Sequence, residues 1–499
     1  MNYSGPRCSV VFDNLLSVRQ NPEIASKKLQ SEIELGRMVG PFNLKPISNL
    51  RCSPIGLVPK KTSGFRLITH LSYPKDNSVN DFIDEKFTKV CYSSFDNVVN
   101  LVQKLGKGAL CAKKDIKSAF RLLKVYPGDF DLLGIKFLDK YFIDKCMPMG
   151  CSISCSTFEK FSTFLHWAVS DEAKSDNLDH YLDDFFFAGS ADSNDCKEIM
   201  EAFSKVCSRL GVPIAEEKTV GPCTNIEFLG LTIDTLELMI KIPDDKVEKL
   251  LNLLNTIIVK KKITRKELES LTGMLAFCTR ALPSGRAFSR RLYASLSKVK
   301  KPHYLIRVTT GMRDDLEIWK SFLKNFNGIC YIQDSNWISN SDLQLFTDSA
   351  GGKSLGCAAY LNGQWAVLNW PRVWPDEIFA DITYLEIIPI AMAICLWKEK
   401  FSRKKILFHC DNLAVVSILN TKTSKSLRVM SILRSIVLWT LDFNFQIRSV
   451  HISSTCNKIA DALSRGQMQK FRDLAPQAEE CPQKIPPDFF KLLNLKHLN

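Results

Sequence analysis

The sequence predicts an α+β chain of several domains, on three observations. Between residues 109 and 235, apolar strand-like runs alternate with helical patterns. From Pro243 to about Leu296 the period becomes helical, and a second strand-and-helix region starts near Leu343 and ends near Arg465. With 499 residues, 45% hydrophobic and 24% charged, the chain can bury more than one core.

Taken in order, residues 1–45 read as a leader with one amphipathic helix around Ile24 to Leu35, ended by the breakers Gly36 and Gly40-Pro41. SPIGLVPKK and GFRLITHLS, joined by Thr62-Ser63-Gly64, read as a β-hairpin carrying Lys60, Lys61 and Arg66. The helical stretch holds VEKLLNLLNTIIV and then KELESLTGMLAFC. Thr264, with Glu267 three residues on, has the spacing of a capping box that opens this second segment. The last thirty or so residues bear Pro and Lys, with a short apolar end. No internal repeat or low-complexity block stands out.

A net charge of +14, spread along the chain, suits a surface that meets a polyanion. The 17 cysteines are scattered without a CxxC pair, so they read as reduced thiols. Cys146, Cys151 and Cys155 lack partner histidines at zinc spacing. The first residues show no charged-then-apolar signal pattern, and the longest apolar run, Ile387 to Trp397, is too short to span a bilayer. The expectation is a soluble, intracellular protein, in cytoplasm or nucleus, with no membrane partner.

Two sets of acids carry the chemistry. In the first, ALCAKKDIKSAFRLLKV places Asp115 just after an apolar strand, and DHYLDDFFFAGS places Asp183-Asp184 between two apolar runs. An Asp-Asp pair can be a solvated hairpin tip. Here Tyr181, Leu182, Phe185, Phe186 and Phe187 flank it, and adjacent ionised carboxylates in an apolar setting repel unless a cation is present.

Over roughly its first two thirds the sequence resembles the reverse transcriptase family, motif by motif and in order. Tyr181-Leu182-Asp183-Asp184 matches the YxDD signature, and Asp115 the preceding catalytic aspartate. MPMGCSISCSTFEKF matches the Pro-Gln-Gly and Ser-Pro motif, with Gly150 and Phe158 in place. Met149 stands where many members have Gln, and Ser154-Cys155 where they have Ser-Pro. LGVPIAEEKTV supplies Lys218, and IEFLGLTID supplies Phe228, Leu229 and Gly230 at the primer-grip position. GFRLITHLSYP followed by SVNDFI gives a gypsy/DIRS-like retrotransposon flavour.

The resemblance implies a right-hand polymerase of fingers, palm and thumb. It implies two Mg2+ or Mn2+ ions held by Asp115 and Asp183 with support from Asp184, since hard ions prefer carboxylate oxygens. Lys60 and Arg66 would meet the incoming dNTP, with Met149, Gly150 and Lys218 nearby; a solvated basic hairpin is the competing reading. Phe120 would lie beneath the sugar, against an alternative as a core phenylalanine beside Ala119 and Leu122. RNA template, DNA primer and RNA/DNA hybrid are the implied partners; oligomeric state is not implied.

In the second set, LQLFTDSAGGKSLGCAAYL puts Asp348 at the end of an apolar strand before a glycine-rich turn. Asp348-Ser349-Ala350 alone also fits an aspartic protease, but the glycine-rich flap and Ile-Leu-Gly segment such a protease needs are not found. Glu386 lies in DITYLEIIPIAMAICLW, a helix start with Pro389 tolerated in its first turns. Asp411 closes KILFHCD and opens NLAVVSIL, where an N-cap is the plain explanation. Asp461 lies in NKIADALSR. Their order over about residues 341–466 resembles the ribonuclease H family, which implies two further metal ions held by these four acids. His451, ahead of the last aspartate, is a possible catalytic histidine, although Ser453-Ser454 replaces the usual Pro-Gly.

The expected organisation is a leader over 1–45, fingers and palm over 46–235, a helical thumb and connection over 236–335, an α/β ribonuclease H-like domain over 341–466 and a tail over 467–499. The expected function is an RNA-directed DNA polymerase and ribonuclease H serving retrotransposon replication. The alternative is a domesticated or degenerate copy that binds nucleic acid without catalysis.

Overall fold

The structure, a computed structural model, describes residues 1–60, 64–325, 330–331, 337–402, 404–443 and 445–493. Lys61, Thr62 and Ser63 of the expected hairpin turn lie outside the described residues. The chain forms two compact units, Met1–Leu238 and Met239–Asn499.

The first unit is built on a four-stranded antiparallel sheet in the order Val220–Cys223, Leu110–Asp115, Asp184–Gly189, Leu178–Tyr181. Strand Asp184–Gly189 is buried on both faces, which accounts for its run of three phenylalanines. Phe185 and Phe187 enter a core with Phe158, Leu165, Val169 and Phe203 from helices Ser154–Ala173 and Asp195–Leu210. Phe186 points the other way, its ring 5.1 Å from that of Phe228. The basic hairpin forms as expected, with Ile55–Pro59 antiparallel to Phe65–Thr69 and Arg66 opposite Val58.

Residues 1–45 are woven into this unit and do not form a separate leader. Val10–Val11 pairs in parallel with Arg51–Cys52, and Met38–Phe42 pairs with Lys140–Asp144. Helix Pro22–Glu34 puts Ala25 and Leu29 into a core with Ile55, Leu57 and Ile135. The helix does end before Gly36, whose φ of +67° lies where a Cβ is disfavoured. The Gly40-Pro41 pair sits inside a strand, at an irregularity in its pairing, and does not terminate the helix.

The second unit opens with helices Asp244–Val259, Arg265–Cys278, Arg290–Leu296 and Thr310–Asn325. The capping box forms: Thr264 Oγ1 accepts from the Glu267 amide, and the Glu267 carboxylate accepts from the Thr264 amide. A three-stranded antiparallel sheet follows, Leu345–Ser349, Gly356–Leu361 and Gln364–Asn369, then the parallel pair Lys405–Cys410 and Gln446–His451. Asp315 of the helical stretch is buried between Arg291 (2.9 Å) and Arg434 (3.1 Å), which ties that stretch to helix Leu427–Asp442.

Pro389 is a correction to the sequence reading. It lies in the interior of helix Ile382–Phe401, beyond the first turns. An interior proline typically costs about 3 kcal/mol. Here the helix buries residues on all sides, from Ile387 to Cys395, and that burial offsets the loss. Residues beyond 466 also pack: Phe471, Ala475 and Ala478 join a core with Tyr360 and Trp365, and Arg472 lies over the Trp365 ring. Among the described residues no helix is long and apolar enough to cross a membrane, and every cysteine whose side chain is described is a free thiol.

Candidate active sites

Asp115 is the last residue of the central strand, and register pairs it with Asp184, the first residue of the neighbouring strand. Asp183 occupies the turn between strands Leu178–Tyr181 and Asp184–Gly189, reached through Leu182 at φ +54°, and its carbonyl accepts from the Ile116 amide at 3.0 Å. Three carboxylates are thereby gathered at one sheet end. Burial, and after it the charges of Asp183 and Asp115, pushes the Asp184 carboxyl up to about 7. Burial and Asp115 also raise Asp183, against the opposing pull of Lys218 and Arg66. Lys218 donates to Asp115 at 2.7 Å, and that hydrogen bond raises the lysine in turn.

Asp115 and Asp183, but not Asp184, line a cleft of about 430 Å³ together with Lys60, Arg66, Met149 and Lys218. Gly150 adjoins it with φ +102°, and a Cβ there would stand 2.6 Å from the Thr69 carbonyl oxygen. Only glycine fits both constraints. The Gly150 carbonyl accepts from Asn80 Nδ2 at 2.8 Å. Phe228, Leu229 and Gly230 lie at the tip of the hairpin Asn225–Phe228/Leu231–Asp234. Leu229 and Gly230 both have positive φ, as a two-residue type I′ turn requires.

Phe120 is not brought into the cleft. Ser118 (φ 65°) and Ala119 (φ 21°) turn the chain sharply and line the cleft themselves. Phe120 instead packs edge-on against Phe158, with ring centroids 5.4 Å apart. Sequence reasoning missed three contributors to this cleft. Lys28 and Ser31 of helix Pro22–Glu34 line it, and Arg121 is clamped between Asp144 (2.7 Å) and Glu32 (2.8 Å) on its wall. The signal for Arg121 was its place in the same segment as Asp115.

In the second unit Asp348 is buried on strand Leu345–Ser349, held by Ser464 Oγ at 2.6 Å and near Asn457 Nδ2 at 3.4 Å. Burial pushes its carboxyl up to about 7; Ser464 opposes this, while Asp411 and Asp461 add to it. Glu386, on helix Ile382–Phe401, is pushed up to about 8 by burial, then by Asp348 and Asp411. Asp411 is not the cap of the following helix. Asn412 takes that role, its Oδ1 accepting from the Ala414 and Val415 amides, and this leaves the Asp411 carboxylate to accept from Ser454 Oγ at 2.8 Å.

Donor atoms of Glu386, Cys410 and Asp411 lie within 4.8 Å of one another. Asp461, on helix Lys458–Ser464, completes the acid set while paired with Arg465 at 2.6 Å. His451 is exposed at the end of its strand, in register with Cys410. Ser454, Asn457 and Ser464, which orient two of the acids, were missed as contributors although Ser464 lies within ADALSR.

Both donor sets fit hard divalent cations. Each offers several carboxylate oxygens, held so close that the charge of one acid raises another.

The first unit thus has the palm-like sheet and acid-tipped hairpin of a right-hand polymerase. Residues 58–233 match the family described as Reverse transcriptase (RNA-dependent DNA polymerase). Residues 58–233 are thus similar to a reverse transcriptase domain of the kind retroelements carry. Curated relatives include the Transposon Tf2-3 polyprotein of Schizosaccharomyces pombe, 22% identical over 283 residues, and the Tf2-7 polyprotein, 21% identical over 283 residues. The match takes in 57% of this chain and 20% of either polyprotein, so it spans about a fifth of their length. It is consistent with the gypsy-like expectation.

Among solved structures, foamy viral protease-reverse transcriptase in complex with dsDNA aligns over 91% of this chain and 86% of that one, at 15% identity and TM-score 0.53. The same protein in complex with RNA/DNA hybrid aligns over 90% and 56%, at 14% identity and TM-score 0.53. These likenesses establish the right-hand polymerase fold.

Proposed function

We propose that this chain is an RNA-directed DNA polymerase joined to a ribonuclease H, acting on RNA template, DNA primer, dNTPs and the resulting hybrid. The observation that carries the polymerase reading is the meeting of Asp115, Asp183 and Asp184 at one sheet end, where Asp115 and Asp183 line a cleft together with Lys60, Arg66 and Lys218. The second acid set, with Asp348, Glu386, Asp411 and Asp461, supports the nuclease reading.

Asp115 and Asp183, with Asp184 beside them, would hold two Mg2+ or Mn2+ ions, and the four acids of the second unit two more. The chemistry such ions supply when bound is activation of an attacking hydroxyl or water and stabilisation of charge on phosphate oxygens. The chain's own residues do the rest. Arg66 offers a planar fork and Lys60 a point charge to a triphosphate. Lys218 holds the Asp115 carboxylate in a fixed orientation. Gly150 lets the backbone beside Met149 pack against the Thr69 carbonyl on the cleft wall, and the Leu229-Gly230 turn offers a rigid support for a primer end. In the second unit Ser464 and Ser454 fix the Asp348 and Asp411 carboxylates.

The test is extension of a DNA primer on an RNA template in magnesium. Extension by the native chain and its loss in Asp115→Asn are expected. A folded chain that binds primer-template but extends nothing would favour the non-catalytic alternative.

A further inference from the structure

Behind the acid-tipped hairpin lies a second cluster that neither active site uses. His166, on helix Ser154–Ala173, and His180, on strand Leu178–Tyr181, bring their Nδ1 atoms to 2.9 Å, and a carboxylate oxygen of Asp179 lies within 4.8 Å of both. His180 is buried, 7% exposed, and its ring stacks on Phe185 at 5.3 Å. We infer that His166, His180 and Asp179 form a binding site for one zinc-like divalent transition-metal cation, separate from the carboxylate-bound ions of catalysis.

Three features support the assignment. Two imidazole nitrogens on one tetrahedral ion, with bonds of about 2.0–2.1 Å, stand roughly 3.3 Å apart, so the observed spacing needs only a small relaxation. The far side of His180 has the partner that a metal-bound imidazole uses. Its Nε2 faces Glu159 Oε1 at 3.4 Å, and both Nε2 and Glu159 Oε2 are buried without a hydrogen bond. A carboxylate there fixes the ring so that Nδ1 is the coordinating atom. Asp179 is likewise held in place, accepting from Ser93 Oγ at 2.5 Å and from the His180 amide at 2.8 Å.

His166 and Asp179 are only partly buried, which leaves a path for the ion and room for water as a fourth ligand. Imidazole nitrogens favour zinc and its neighbours over magnesium. The strand that supplies Asp179 and His180 leads directly into Asp183-Asp184. An ion here would therefore pin the hairpin to helix Ser154–Ala173 and act as a structural clasp. The competing arrangement is one proton shared between the two rings.

The full chain, stripped with chelator and then held in excess Mg2+ to fill oxygen-only sites, is titrated with Co2+ and followed by visible absorption. One equivalent should bind with d–d bands and no thiolate charge-transfer band. Binding should be lost in His166→Ala and in Asp179→Asn, each verified as folded by circular dichroism. It should persist in Cys410→Ser, and Glu159→Gln should weaken it by about 10–100-fold. Zn2+ should raise the melting temperature of the native chain and not of His166→Ala. The inference is overturned by Co2+ bands that survive both His166→Ala and Asp179→Asn, by a signal with thiolate character that vanishes in Cys410→Ser, or by uptake no greater than in His166→Ala. None of these outcomes depends on polymerase activity.

Discussion

Replacing Glu386 with Gln should stabilise the metal-free protein. Glu386 sits beside Asp348 and Asp411, and burial followed by their charges moves its carboxyl from an ordinary 4.5 up to about 8. A tenfold change in a protonation equilibrium corresponds to about 1.4 kcal/mol. At pH 7 the fold must therefore either protonate Glu386 or tolerate its charge, at an upper bound of about 3 kcal/mol. Because the group is coupled to two other acids, we take about 1–2 kcal/mol as the gain from a neutral isostere. In a unit of 261 residues this is a rise of about 2–8 °C in the melting temperature.

The sign with pH follows from the raised value. In the folded protein the group holds its proton to higher pH than in the unfolded chain, so its penalty is absent below about 4.5 and grows as pH rises toward 8. Differential scanning calorimetry in chelator at pH 4.5 and pH 7.5 measures both, and the advantage of Glu386→Gln should appear only at the higher pH. Added Mg2+ should narrow the difference by stabilising the native chain. A melting temperature at pH 7.5 that is unchanged or lower in Glu386→Gln would refute the crowded-acid account.

Gly150→Ala should destabilise the first unit by about 1–3 kcal/mol, since φ is +102° and the new methyl meets the Thr69 carbonyl; thermal unfolding and dNTP KM should both worsen. Phe120→Val should lower the melting temperature, because its ring packs on Phe158, while the ratio of kcat/KM for paired dNTP and rNTP substrates stays unchanged. A changed ratio would return Phe120 to the sugar. Arg434→Met should cost the second unit roughly 3 kcal/mol or more in denaturant unfolding, since it strips one partner from the buried Asp315. Primer-template affinity should fall steeply with salt, with a slope of about −0.9 per neutralised phosphate, in keeping with the +14 charge; a flat response would remove the extended basic track.

Several of the acids were legible in the sequence because they lie at or next to a strand end, and local signals of that kind survive folding. Asp348, after an apolar run, and Asp183-Asp184, between two, are placed by their own neighbours. Asp411 shows the limit of such reasoning. Asp and Asn are adjacent and either could cap, and only the backbone shows that Asn412 does so. For Phe120 the resemblance pointed beneath the sugar and the local pattern to the core; two consecutive residues with positive φ turn it against Phe158, as the core reading has it. Pro389 is tolerated through tertiary burial, which overrides local propensity. The His166–His180 pair gave no sequence signal at all. It joins a helix to a strand, and nothing in the intervening residues marks the meeting.

The central claim, two separate metal-dependent acid sites in one chain, is tested most directly by one substrate with two readouts. A DNA primer recessed on a longer RNA template, with both strands labelled, reports extension and RNA cleavage in the same tube. The native chain should do both in Mg2+. Asp183→Asn should cleave RNA without extending the primer, and Asp411→Asn should extend without cleaving. If either substitution abolished both activities in a chain that still melts cooperatively, or if neither affected its assigned activity, the two-site account would be contradicted.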